Sequence, residues 1–373
     1  MLSAETFHPN ELSEADAAAW RGLQATHADF ADPLLGPDFA RAVGRTREDA
    51  RVSVFRRGGR VVGFFAYHLR TGGFARAIGA PFSDYHAVVA EPGLSAAQVL
   101  AAAGLTAFRF TGLVDPHGAF EAAAEAEAFA IVLEGDAESY LEALRAASPK
   151  RFKNYRRLDH KLDREVGALR IEAPDRDRDA FERLIAWKRE QLVRTGVHDV
   201  LAADWIRKLM SDLFETGEGP MQGLMINLYS GDRLVAGHFG VRTGAYFHPW
   251  IASTDPDLAA WSPGQIFLSR AIAAMPGLGL TTYDLGASHE HYKRPYALTT
   301  RLVGEGLATA GTPQGRVAQL SEQAWILAGG VVHPVARLRR RLDSIAAAEL
   351  SLAGRARGLA TAIAARTVNL EAA

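Results

Sequence analysis

The 373 residues exceed the size at which one hydrophobic core usually keeps growing, so two domains are expected. Hydrophobic residues make up 48% and charged residues 23%, as in an ordinary globular protein, and 42 Lys and Arg balance 43 Asp and Glu, so no global field draws the chain to nucleic acid or an acidic polymer. There is no Cys, which excludes disulfides, thiolate metal sites and thiol nucleophiles.

The N-terminal "MLSAETFHPNELSEADAAAW" lacks a cationic region followed by an apolar core, so it does not read as a secretory signal, and a cytoplasmic protein is expected. "ELSEADAAAWRGLQ" is helical in pattern, and "RVSVFRRGGRVVGFFAYHL" reads as two strands around a Gly58-Gly59 turn. "RAIGAPFSDYHAVVAEPG" continues as strand and loop, "SAAQVLAAAG" is a helix stopped by Gly104, and "AFRFTGL" and "FAIVLEG" are strands before the helix "AESYLEALRAAS". This makes residues 1–148 an α/β domain.

Residues 149–167 read as a basic connecting helix, with Pro149 suited to its start and Gly167 to its end. Phe152, Tyr155, Leu158, Leu162 and Val166 form one apolar stripe, while Lys150, Arg151, Lys153, Arg156, Arg157, Lys161 and Arg164 crowd the rest. That surface is either a solvated face or a phosphate-binding wall, with Arg156 and Arg157 the residues of interest.

Residues 168–314 restart the pattern: the strand "LRIEA", two helices, then the strands "LMINLYS", "RLVAGHFGVR" and "AYFHPWIAS" as an antiparallel meander. Alternation puts His238 on the face of Leu234 and Ala236. Pro249 demands an edge or a bulge. "SPGQIFLSRAIAAM" is a helix with Ser262 at its cap and Pro263 in its first turn, and "LTTYDLGA" is a strand that delivers Asp284 to its end. The order loosely repeats that of the first half, which hints at duplication.

"YDLGASHEHYKRPYAL" is the densest polar corner. "HEH" lacks the spacer of H-E-x-x-H, and alternating histidines on a loop do not fix metal geometry, so no metal is expected at His289 and His291. No G-x-S-x-G elbow is present, and "GEGLATAG" is not a dinucleotide fingerprint. Residues 315–373 read as a helical tail; its apolar run "AWILAGGVVHPVA" is too short to span a bilayer. The tail's Arg337, Arg339, Arg340 and Arg341 make either a solvated basic helix or a contact for an anionic membrane surface or a regulatory nucleotide.

The pieces "GAPFSDYHAVV", "RFKNYRRLDHKLDREVGALRIE", "RLVAGHFGVRTGAYFHPWIASTDP", "SPGQIFLSRAI" and "YDLGASHEHYKRPYA" together resemble the CelD-type acyltransferases of the GNAT superfamily, relatives of the FemAB-type aminoacyl transferases often associated with exopolysaccharide synthesis. The resemblance covers roughly residues 10–310. It implies a mixed α/β protein of two tandem GNAT-like domains with mostly antiparallel sheets flanked by helices, the second holding acyl-CoA as donor for a sugar-containing acceptor. It further implies donor contacts at Trp250, Ile251, Ser262, Gly264, Gln265 and Lys293, and acceptor contacts at Asp84, Tyr85, Arg156, Arg157, His248 and His289. Asp284 or His238 is the base such chemistry needs and Tyr292 the acid. "WSPGQ" departs from the Gly-rich loop usual for acetyl-CoA, so aminoacyl-tRNA stays open as the donor, and a catalytically inactive GNAT fold serving as a binding module stays open as a function.

Overall fold

A computed structural model describes residues 2–287, 293–329 and 334–360. They form two compact units, the first from Met1–Ala126, Leu192–Leu209 and Leu302–Ala373, the second from Glu127–Gln191 and Met210–Arg301.

The first unit holds β1 (Leu2–Phe7), α1 (Glu14–Gln24), α2 (Pro37–Gly44), β2 (Ala50–Arg57), β3 (Arg60–Arg70), β4 (Phe74–Ala77), β5 (Val88–Ala90), α3 (Ala96–Ala102) and β6 (Ala107–Leu113), and later β13 (Thr299–Thr309), α9 (Pro313–Gly329) and α10 (Pro334–Ala348). Gly58 and Gly59 both take positive φ, 59° and 82°, which matches the hairpin to the right-handed twist of β2 and β3. Ser95 and Gln98 close a capping box on α3. Phe55, Phe65, Tyr67, Phe108 and Phe110 fill the core beneath.

The second unit holds β7 (Ala124–Val132), α4 (Ala137–Ala147), α5 (Pro149–Glu165), β8 (Leu169–Glu172), α6 (Arg178–Arg194), the end of α7 (Asp204–Glu215), β9 (Gln222–Ser230), β10 (Arg233–Thr243), β11 (Tyr246–Thr254), α8 (Pro263–Ala274) and β12 (Thr282–Ala287). Phe152, Leu158 and Leu162 of α5 are buried with α4 and α8, and Asp159 takes a bidentate contact from Arg270 of α8 at 2.8 Å. On α6 and α7, Phe181 stacks on Phe214, and both pack on Phe239 of β10.

The strands repeat one pairing scheme. In the first unit β1, β2, β3 and β4 pair antiparallel in turn, β4 pairs β6 in parallel, and β6 pairs β13 antiparallel. In the second, β8, β9, β10 and β11 pair antiparallel in turn, β11 pairs β12 in parallel, and β12 pairs β7 antiparallel. Each array thus ends on the strand that follows the fifth strand of the other in sequence. Among the described residues no helix is long and apolar enough to cross a membrane.

Candidate active site

The parallel pair β11–β12 is joined at only two levels, Tyr246↔Thr282 and Phe247↔Tyr283. Beyond them β11 follows β10 as far as Thr254↔Ala236, while β12 follows β7 as far as Ala287↔Ala128. The two strands therefore part into a wedge that no further strand fills among the described residues. Bulges bend both sides: Trp250 is an extra residue between the pairs Gly240↔Pro249 and Phe239↔Ile251, and Leu285 is extra between Asp284 and Gly286. Pro249 lies beside the first bulge, as its missing N–H demands. In the first unit, by contrast, β4 spans only Phe74–Ala77, and three of its four residues, Phe74, Ala75 and Arg76, are paired with β6.

Gly240 is required at the bulge, because a Cβ there would lie 2.0 Å from the His248 carbonyl oxygen and 2.4 Å from Pro249 Cα. Both are backbone and cannot rotate away. Gly240→Ala is expected to cost roughly 3 kcal/mol or more, or to displace β11, and a thermal melt measures this directly.

Asp284 stands on β12 at the apex, one residue past the last paired level, and is 1% exposed. Its Oδ2 accepts from the Tyr246 hydroxyl at 2.6 Å and from Arg301 Nη2 at 3.1 Å, and its Oδ1 accepts from the Gly286 N–H at 2.7 Å. Asp284 is thus a fixed carboxylate coupled to a tyrosine. Neither Tyr246 nor Arg301 stands out in the sequence, because their positions 38 residues before and 17 after say nothing of contact.

His238 is elsewhere. It is buried against Phe267 of α8, ring centroids 4.5 Å apart, and its Nδ1 shares a 2.7 Å hydrogen bond with the Tyr283 hydroxyl. Tyr283 and Asp284 are consecutive, so their side chains leave opposite faces of the sheet. The structure does not bring His238 and Asp284 together as alternative bases at one point. Burial, reinforced by the charges of Lys188 and Lys293, pushes the His238 imidazole down to about 3, so the ring is neutral at physiological pH. Alternation also fails locally: a bulge between Leu234 and Ala236 places Ala236 in the core with α8 while Leu234 lines a cavity.

Below the wedge, Ser262 takes the left-handed conformation, φ 53° and ψ 53°, and α8 starts at the buried Pro263. Its first turn carries the positive end of the helix dipole. Gln265 Oε1 and Trp261 Nε1 are buried there without a hydrogen-bond partner among the described residues. Lys161 of α5 lies over the Trp261 ring, 5.5 Å from its centroid, which brings a cation beside that helix start. In the sequence Lys161 is one of several basic residues. Arg156 and Arg157 are exposed on the same helix, Arg157 donating to Asn154 Oδ1 at 2.9 Å.

Trp250 and Ile251 are buried on β11, as is His248, and Lys293 Nζ donates to the Ala287 carbonyl at the end of β12, 2.7 Å away. Asp84, exposed, and Tyr85, buried, belong to the first unit. His289 and Tyr292 lie outside the described residues. A cavity of about 480 Å³ opens at the β9–β10 turn and the N-terminal half of α6, lined by Arg183, Trp187, Tyr229 and Asp255 among others; no residue assigned to the site from sequence lines it.

Strands that part after two levels beside a helix N-terminus leave an elongated opening. Residues 149–294 match the acetyltransferase (GNAT) domain. That span holds α5, α8, both bulges and Asp284. Among solved structures the chain is similar to FemX, with a TM-score of 0.53 at 12% identity over 86% of this chain and 100% of that one. It is also similar to a tandem GNAT protein from the clavulanic acid biosynthesis pathway, TM-score 0.46 at 14% identity over 84% of this chain and 99% of that one. A third is a GCN5-related glucosamine N-acetyltransferase region of a fungal β-N-acetylglucosaminidase, TM-score 0.42 at 10% identity over 83% of this chain and 38% of that one. No curated protein sequence matches the chain. The fold is mixed α/β, of two units whose strands repeat one pairing scheme, and the GNAT match falls on residues 149–294.

Proposed function

We propose that the second unit transfers an acyl group from acyl-CoA to an amine or hydroxyl of a sugar-containing precursor in exopolysaccharide or cell-envelope synthesis. The observation that carries the transfer is the wedge, a parallel pair that parts after two levels and leaves backbone donors and acceptors for an extended ligand arm. The sugar acceptor rests on the resemblance to CelD-type acyltransferases. Acyl-CoA supplies the activated thioester.

The chain's own groups then have distinct tasks. Backbone N–H groups around the Trp250 bulge hold the oxyanion that develops when the acceptor adds to the acyl carbon. The Tyr246–Asp284 pair at the apex takes the acceptor's proton through the tyrosine hydroxyl and returns one to the departing thiolate as the carbon–sulfur bond breaks. His238 holds Tyr283 in place beneath the apex. The α8 N-terminus with Lys161, and more weakly Arg156 and Arg157, meets the donor phosphates.

Calorimetry with acetyl-CoA, followed by free-thiol release with amino-sugar acceptors, tests the reading. Charge-assisted phosphate contacts are worth about 1.5 to 3 kcal/mol, so Lys161→Ala is expected to weaken acetyl-CoA binding about tenfold or more at low salt, and Arg156→Ala to weaken it by less. No binding at millimolar acetyl-CoA sinks the proposal, and transfer that depends on aminoacyl-tRNA replaces it with the FemAB-like reading. Binding without turnover on any acceptor leaves a GNAT-fold binding module.

A further inference from the structure

α9 is held to the first unit along one side only. Glu322 pairs with Arg109 of β6 and Arg339 of α10, Arg339 also lies over the Trp325 ring, and Gly315 sits so close to the Ala310 carbonyl that a Cβ would meet it at 2.2 Å. The other side carries Val317, Leu320, Ala324 and Leu327 in steps of three, four and three residues, the first-and-fourth spacing of a helix that packs on another helix. These side chains face solvent: Val317 is 67% exposed, Leu320 64%, Leu327 88%, and Ala324 is also exposed. Large apolar side chains repeated on the outer face of a docked helix are a surface awaiting a partner.

We propose that this seam pairs with the same seam of a second copy of the chain, antiparallel about a two-fold axis. An axis level with Glu322 sets Val317 against Leu327 and Leu320 against Ala324, large against small, so the stripe is complementary to itself. Its exposed borders are Gln314, Arg316, Gln319, Ser321 and Gln323, almost without charge, so the two-fold brings no row of like charges together. A helix lying in a lipid surface would instead carry Lys and Arg along these borders. Arg316 is the one basic residue of these borders, and Arg339, on the docked side, is committed to Glu322.

Sedimentation velocity of the full chain at micromolar concentration decides the matter. A dimer is expected, and Leu320→Glu with Leu327→Glu should raise its dissociation constant at least about a hundredfold, since each substitution enters the interface twice. Ile326→Glu, 52% exposed but off the seam, should leave the dimer intact. Far-UV spectra show whether α9 survives; should the glutamates unfold it, Leu320→Gln with Leu327→Gln is read by the same criterion. A monomeric wild-type chain, a dimer indifferent to the seam substitutions, or a monomer that floats with anionic phosphatidylglycerol vesicles each overturns the proposal.

Discussion

Asp284→Asn is expected to lower turnover about 10²- to 10⁴-fold on an acceptor that the wild-type protein acylates, with the fold retained. Asn keeps the size of the side chain and one acceptor oxygen, but its amide now turns a donor either toward the Tyr246 hydroxyl and the Arg301 guanidinium together or toward the Gly286 N–H, all of which also donate. Tyr246→Phe should cause a similar loss, and the double variant little more, because groups that act as one unit are not additive. Asp284→Ala goes further: it breaks a buried ion pair and should cost about 3 to 5 kcal/mol of stability. Turnover near wild type in Asp284→Asn and Tyr246→Phe would return the apex to a purely structural role and remove both residues from the mechanism.

Acid should begin to destabilise the protein before its carboxylates titrate. Burial pushes His86 and His238 down to about 3, against about 6.5 for an exposed histidine. The unfolded chain therefore binds protons that the folded one refuses, so the stabilisation is fully present above pH 6.5 and is lost as pH falls toward 3. Each pH unit below 6.5 costs about 1.4 kcal/mol per histidine, so the pair should remove about 4 kcal/mol near pH 5. His86 isolates the effect, since both its ring nitrogens are buried without a partner among the described residues. His86→Leu gives up no hydrogen bond from the ring, and urea unfolding from pH 7.5 to 4.5 should show the slope reduced by one proton. An unchanged slope would mean that His86 takes up its proton in the folded state.

Local signals were legible where chemistry is local. Gly58-Gly59 marks a hairpin, Pro149 and Pro263 mark the starts of α5 and α8, and the run before Asp284 marks β12. β1 and β13 were not legible: β13, "TTRLVGEGLAT", carries two glycines and mixed charges, and is a strand because β6 pairs with it some 190 residues away. The candidate site divides the same way. Asp284 is marked by its place on a strand, but its partners Tyr246 and Arg301 exist only once β11, β12 and the start of β13 are assembled. His238 was placed on a face by counting alternate residues, and a single extra residue at Val235 undid the count. The Pro249 signal did carry through to a bulge, because a missing N–H constrains any sheet that contains it.

The exchange of final strands between the two arrays has a bearing on how the chain is made. β6 leaves the ribosome at residues 107–113, yet its antiparallel neighbour β13 comes only at 299–309. The strands of the second array span residues 124–287, so that array has all its parts while the first still waits. Pairing over such a separation is slow, and β6 meanwhile offers an unpaired edge to any neighbouring nascent chain. The half of the protein that is synthesised first is therefore the half that is finished last, and slowing translation should help the second array mature while prolonging the exposure of the first.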